Sequence, residues 1–214
     1  MAYTREEFVE KYGGFIANEV KGTGILSGTL ISQAILESQG KDASGNYRVG
    51  GSTLARNSNN YFGIKCHNWT GKHYNISTGE VSPSGVSYTD VNACFRAYDS
   101  VEDSISDYVK FLTENSRYRN AGVFNAPTVK EQAEALRRAG YATDSSYPDK
   151  VSGIYEGLKS YIDKFSTYGV AGIAKSFVNS PVSFVKRNWI PITIIGVFMA
   201  GVGITTYLII KNKK

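Results

Sequence analysis

With 214 residues, the chain has room for one domain with a hydrophobic core plus an appendage of some tens of residues, and is cramped for two full domains. Its formal net charge of +5 at pH 7 is carried in part by Lys211, Lys213 and Lys214 at the extreme C-terminus, so it describes no basic folded face and gives nucleic-acid binding no support. The only histidines, His67 and His73, lack the usual helical metal spacing, and the only cysteines, Cys66 and Cys94, exclude a zinc ribbon or a disulfide-dense scaffold, so neither a metal nor another cofactor is expected.

The N-terminus has no apolar run behind a basic start, so no secretory signal is expected; instead Thr4 and Glu7 read as a capping box opening a helix to about Val20. After a break at Gly22 and Gly24, Ser27 is expected to cap a second helix from Gly28 to about Ser38, with Leu30, Ile31, Ala34 and Ile35 at helical spacing. Residues 40–60 are rich in Gly, Ser and Asn and read as a loop with one short helix at 53–57. Between Tyr61 and Tyr98, short alternating segments around a centre with Gly79, Pro83 and Gly85 predict an antiparallel hairpin. Ser100 with Asp103, then Thr128 with Glu131, cap two further helices, and a last one runs from about Pro148 to Lys164 with Ile154, Leu158 and Ile162 on one side. The class is α+β, mainly helical with a small β-hairpin, over residues 1–165. Cys66 and Cys94 either form one bridge or stay reduced and packed, the commoner state of two lone cysteines.

Composition changes after Phe165. Residues 166–188 read as a linker or a juxtamembrane amphipathic segment, with Ile173, Phe177 and Val178 as its apolar side. The run 189–210 carries no charged residue, and as a helix would be about 33 Å long, enough to cross a hydrocarbon core of roughly 30 Å. Lys186 and Arg187 before it, the basic tail 211–214 after it, and Trp189 and Tyr207 near its ends complete the pattern of a transmembrane helix. Gly196 and Ala200 form a small-xxx-small pair that would support a homo-oligomer. Basic residues on both flanks leave the orientation open.

Hydrolysis of a glycosidic bond needs a carboxylic acid still protonated near neutral pH, often with a second carboxylate. Glu37 lies at the edge of the apolar stripe of the second helix, where partial desolvation would raise its pKa; the rival reading is a Glu at a helix C-terminus reaching into solvent. The runs Ala34-Ile35-Leu36-Glu37-Ser38, Asn59-Asn60-Tyr61-Phe62-Gly63-Ile64-Lys65, Thr78-Gly79-Glu80, Phe95-Arg96-Ala97-Tyr98-Asp99-Ser100 and Gly140-Tyr141-Ala142-Thr143-Asp144 follow one another in that order. In this the chain resembles the glucosaminidase domain of glycoside hydrolase family 73, which includes bacterial autolysins, flagellar wall hydrolases and phage lysins.

The resemblance implies a lysozyme-like fold with Glu37 as general acid and Glu80 as second carboxylate. It also implies that Tyr141 lines the cleft near Glu37, and that Asn60, Phe62 and Gly63 form a substrate-binding floor on which Phe62 packs more than it binds. Arg96 reads as an ion-pair support of the hairpin and Asp144 as a cap or turn residue. The chain departs from the family in Gln39-Gly40-Lys41, where an aromatic usually follows the Glu-Ser pair, and in Cys66, where Gly is common. The expected activity is an endo-β-N-acetylglucosaminidase on peptidoglycan glycan strands. Lysozyme or lytic transglycosylase chemistry, and an inactive wall-binding membrane protein, are the alternatives. A membrane-anchored domain with no export signal would face no wall from the cytoplasm; the favoured reading is a phage virion or lysis protein acting at a host or virion membrane, the other a cellular enzyme delivered by a dedicated secretion system.

Overall fold

In the computed structural model, which describes residues 2–81 and 87–167, the first helix, α1 (Arg5–Glu19), opens on the predicted box. Thr4 Oγ1 accepts from the Glu7 N–H at 3.1 Å, and the Glu7 carboxylate accepts from the Thr4 N–H at 2.7 Å. The chain then turns through Gly22 and Gly24, both at positive φ, into α2 (Ser27–Ser38). Here one expectation fails: Ser27 is the first helical residue and not the cap. The start of α2 is tied down from a distance instead, the Leu26 N–H donating to Gln132 Oε1 at 2.9 Å. Gln132 is fully buried, and its Nε2 donates to the carbonyls of Gly24 and Val123, so a single amide satisfies backbone groups of three segments.

α2 is the axis of the domain. Every residue from Gly28 to Ile35 is buried, and α1, α6 (Val129–Arg138) and α7 (Tyr147–Thr167) pack around it. A helix buried on all sides runs through the middle of a core, and here it takes Thr29, Ser32 and Gln33 in with its apolar residues. Phe8 and Ile16 of α1, Leu30, Ile31 and Ile35 of α2, Ile105 and Leu112 of α4 (Val101–Glu114), and Leu158 and Ile162 of α7 fill the space between. The caps of α4 and α6 form as predicted: Ser100 accepts from the Asp103 N–H and Thr128 from the Glu131 N–H.

Leaving α2, Ser38 turns the chain: its Oγ donates to the Ala34 carbonyl and accepts from the Gly50 N–H. Beyond it lies a short antiparallel pair, β1 (Gly40–Lys41) and β2 (Tyr47–Arg48), where only loop was expected. A Cβ on Gly40 would stand 2.3 Å from the Gly51 carbonyl oxygen, so this crossing is closed to larger residues. The short helix α3 spans Thr53–Ser58, capped by Ser52. The predicted hairpin is β3 (His73–Val81) against β4 (Ser87–Arg96); Gly79, expected near its turn, is a strand residue opposite Thr89. Two further elements had no counterpart in the sequence reading: α5 (Ser116–Asn120) and a 3₁₀ turn at Val123–Asn125.

Cys66 and Cys94 are joined in a disulfide, not left reduced as two lone cysteines usually are. The reason is geometric: Lys65 bridges Phe95 of β4 and the Cys66 N–H donates to the Cys94 carbonyl, which brings the two Cα atoms to 5.4 Å. Among the described residues no helix is long and apolar enough to cross a membrane. The expected linker 166–188 (but for the end of α7), membrane span 189–210 with its Gly196–Ala200 pair, and tail 211–214 lie outside the described residues.

The bridge closes a loop of 28 residues, for which restricting the unfolded chain is worth about 3.5 kcal/mol. Replacing both cysteines by alanine should lower the unfolding free energy by a few kcal/mol in a urea titration. An unchanged midpoint would mean that the link contributes nothing to the fold.

Candidate functional site

Glu37 stands in the last turn of α2, where that buried helix meets the surface. Beside it runs a groove of about 720 Å³. Leu36 and Glu37 at the end of α2 line it together with Phe62, Gly63 and Ile64, its floor, and with Phe111, Tyr118, Tyr141 and Tyr147. Glu37 is open to solvent along the groove, but its carboxyl end is crowded by protein. Withdrawal from water raises its pKa to about 7, opposed by a hydrogen bond from Tyr147. The negative end of the α2 dipole acts in the same upward direction. Such a carboxyl keeps a proton at neutral pH and can donate it.

A second carboxyl lines the groove with the opposite character. Asp144 accepts from Lys150 Nζ and from the Ser146 N–H and hydroxyl, which together hold its pKa down at about 2. It stays ionised and serves as the turn residue expected, immediately before α7. Two acidic groups in one cleft therefore have their proton affinities set far apart by their surroundings.

The floor is shaped by a residue that does not line it. Asn60 is buried, its Nδ2 donating to the carbonyls of Ile64 and Arg96 and its Oδ1 accepting from the Ile64 N–H. Expected as a substrate-binding residue, it is placed under the floor as a brace between the loop and β4. Gly63 takes a left-handed conformation, φ +66°, that keeps the floor free of a side chain. Phe62 packs as expected, its ring 4.1 Å from that of Tyr108. Tyr141 lies in the groove with Glu37 and donates its hydroxyl proton to the Phe62 carbonyl at 2.9 Å. Arg96 forms the expected ion pair, at 2.8 Å to Asp107 of α4, which also accepts from the Tyr98 hydroxyl, so the hairpin is pinned to the helical core. Glu80 is on β3 opposite Tyr88, and its side chain lies outside the described residues.

Sequence reasoning passed over Gln33, which donates to the Tyr147 hydroxyl, and Tyr147, whose hydroxyl lowers the proton affinity of Glu37. The first signal was available, since Gln33 precedes Glu37 by one helical turn and shares its face. The second was not, because Tyr147 approaches from α7. The cationic residues of the groove, Lys65, Arg117 and Lys150, were likewise missed because they come from three separate segments.

The glucosaminidase family, described as mannosyl-glycoprotein endo-beta-N-acetylglucosaminidase, matches residues 15–160. The chain belongs to this family. As a family member it is a glycoside hydrolase. The glucosaminidase domain is 41% identical over 113 residues to the peptidoglycan hydrolase FlgJ of Escherichia coli K12, covering 52% of this chain and 35% of that protein. It is 33% identical to the exo-glucosaminidase LytG of Bacillus subtilis, covering 71% and 51% respectively. The chain thus spans from about a third to about a half of the length of these relatives. Among solved structures it is similar to a peptidoglycan hydrolase mutant from Sphingomonas sp. A1, with a TM-score of 0.58 and 29% identity over 74% of this chain and 99% of the other. The catalytic domain of the autolysin Auto from Listeria monocytogenes gives a TM-score of 0.57 at 28% identity, over 77% and 87%. The lysozyme-like, mainly helical α+β class follows from these likenesses together with the elements described above.

A raised carboxyl pKa has a thermodynamic signature. The unfolded chain releases the Glu37 proton near the ordinary value of 4.5, the folded one near 7, so folding loses stability as pH rises between them. Glu37→Gln removes that loss. The melting temperature of the variant relative to the natural protein should climb from pH 4.5 to pH 8, and a difference independent of pH would contradict the raised pKa.

Proposed function

We propose that this chain is a peptidoglycan hydrolase, an endo-β-N-acetylglucosaminidase that cuts the β-1,4 bond after N-acetylglucosamine in wall glycan strands. The observation that carries the reading is Glu37, a carboxyl with a pKa of about 7 at the edge of an open groove. The half-buried ring of Phe111 offers an apolar face to a sugar ring, while Lys65, Arg117 and Lys150 supply positive charge for an acidic polymer. The names of the relatives, peptidoglycan hydrolases and an exo-glucosaminidase, point to the same substrate.

In the proposed reaction the Glu37 O–H gives its proton to the glycosidic oxygen as the C1–O bond breaks, so the leaving sugar departs as a neutral alcohol. Water adds to C1 and loses a proton to a carboxylate. The reading takes Glu80 to polarise that water or to stabilise positive charge on the sugar, supported by its place in the Thr78-Gly79-Glu80 motif on β3. Tyr141 lines the cleft beside the acid, and no cofactor is needed.

The reading extends to a membrane tether, supported by the uncharged run 189–210 between basic flanks, and to a phage virion or lysis enzyme that reaches the wall from that tether. Introducing a charge with Ile195→Asp should release a full-length protein that otherwise sediments with membranes through alkaline washing. Retention of the variant would argue against a span.

Digestion of purified wall, followed by mass spectrometry of reduced products, should show new N-acetylglucosamine reducing ends on oligosaccharide fragments. Reducing or anhydro-muramic ends would instead indicate lysozyme or transglycosylase chemistry, and free monosaccharide alone an exo-enzyme. Glu37→Gln should lower the rate by about 100- to 10,000-fold. Activity of the natural protein should fall as pH rises through about 7, where the acid loses its proton. Undiminished clearing by the variant would leave an inactive or differently catalysed wall protein as the better reading.

A further inference from the structure

The groove beside Glu37 carries a positive charge that no acidic residue in it neutralises. Asp144 lines it but is paired with Lys150 at 2.6 Å, and Glu37 keeps its proton up to about pH 7. Arg117 lines the same groove and is exposed, and among the described residues no carboxylate pairs with it.

A surface arginine without an ion pair is ordinarily a solvated group with many rotamers. Arg117 is held in place. Its Nη2 donates to the Tyr118 hydroxyl at 2.6 Å, and its guanidinium carbon lies 4.7 Å from the centre of that ring and 5.8 Å from the centre of the Phe111 ring. Tyr118 is fully buried, so the anchor belongs to the core. Phe111 comes from α4 and Tyr118 from α5, which sets the guanidinium where the two helices meet.

Packing against two rings does not require a charge, and the phenol takes only one N–H. The rest of the planar fork meets no protein acceptor among the described residues, and a fork of that shape takes a carboxylate through two parallel hydrogen bonds. Since the rings already order the side chain, capturing a carboxylate costs it little further rotamer freedom. Lys150, by contrast, is occupied by Asp144.

We propose that Arg117 is a specificity-determining residue that binds a carboxylate on the muramic acid branch of wall glycan, borne by the peptide stem or, where the stem has been removed, by the lactyl group that carried it. The proposal rests on the peptidoglycan reading of the groove. Muramic acid bears that branch, whereas a polymer of N-acetylglucosamine alone has no carboxylate. An ordered arginine in the groove therefore selects wall strands over neutral chitin-like chains.

The test places Arg117→Met and Arg117→Lys in full-length protein carrying Glu37→Gln, so that probes are not consumed. Three soluble probes are titrated by NMR chemical shift: the wall disaccharide with its acidic peptide stem, the stem-free disaccharide with its lactyl carboxylate, and the stem-bearing disaccharide with its carboxyls converted to methylamides. Arg117→Met should weaken binding of a carboxylate-bearing probe about 10- to 100-fold and leave the neutral probe little changed. Loss with the stem-bearing probe assigns the contact to the stem, and loss with the stem-free probe alone assigns it to the lactyl group. Arg117→Lys should fall between, keeping the charge without the fork, and supplies the comparison should Arg117→Met fold poorly. The difference between variants should shrink as salt is added, because the pair is open to solvent. With Glu37 in place, Arg117→Met should raise the KM for purified wall about tenfold with kcat little changed.

Equal weakening of the neutral probe would make Arg117 a structural support, and unchanged affinity for all three probes would remove it from recognition; either overturns the proposal. Failure of the natural protein to hydrolyse wall would overturn the hydrolase reading instead, and the binding series, which needs no turnover, tells the two apart.

Discussion

The structure depends on one constraint: a carboxyl must sit at the end of a helix that is otherwise buried. From Gly28 to Ile35 α2 is enclosed by α1, α6 and α7, and Glu37 is the exposed residue where the helix emerges. A side chain rooted in such a helix has little freedom to move. It also stands at the negative end of the helix dipole and among aromatic rings, where a charge is poorly solvated. The rigidity and the raised proton affinity therefore have the same origin, the burial of α2.

The floor of the groove runs into the segment before β3, and three kinds of link brace it, one of them to the helical core. Asn60 joins the floor loop to β4 through hydrogen bonds to Ile64 and Arg96. The Arg96–Asp107 pair, with each side chain 14% exposed, anchors β4 to α4, and the Arg96 guanidinium also lies over the Trp69 ring. The Cys66–Cys94 disulfide closes the strand edge just past the floor. None of these groups needs to touch a substrate. Each limits how far the floor, with Phe62 and Gly63, can shift relative to Glu37, and errors of about an ångström matter for proton transfer.

Local stability is given up at the site. Gln33 keeps a buried acceptor without a partner, Glu37 keeps a carboxyl where its charge is disfavoured, and Gly63 leaves the floor bare. An apolar residue at 33 or 37 would suit the core of a purely structural domain better. A carboxyl of raised proton affinity beside a bare floor is what distinguishes this groove from the domain's other concavities, such as the one between α6 and α7, where Lys159 pairs with Asp163.

The sequence by itself determined whatever depends on neighbours three or four positions away. The boxes and caps at Thr4, Ser100 and Thr128 appear where they were read, because each joins a side chain to a backbone amide within one turn. Glu37, Phe62, Gly63 and Tyr141 were found by their motifs, and all four line the groove. Only the tertiary structure decided the rest. The start of α2 looked like a Ser27 cap, yet its anchor is Gln132, 106 residues away. Asn60 looked like floor and is the brace beneath it. The cysteines carried no sign of pairing until Lys65 met Phe95. The proton affinity of Glu37 was a choice between two readings in sequence, because it depends on how closely protein surrounds the carboxyl and on a phenol brought in by the last helix. Hydrogen bonds between distant segments and withdrawal from water depend on the folded chain, and no local pattern encodes them.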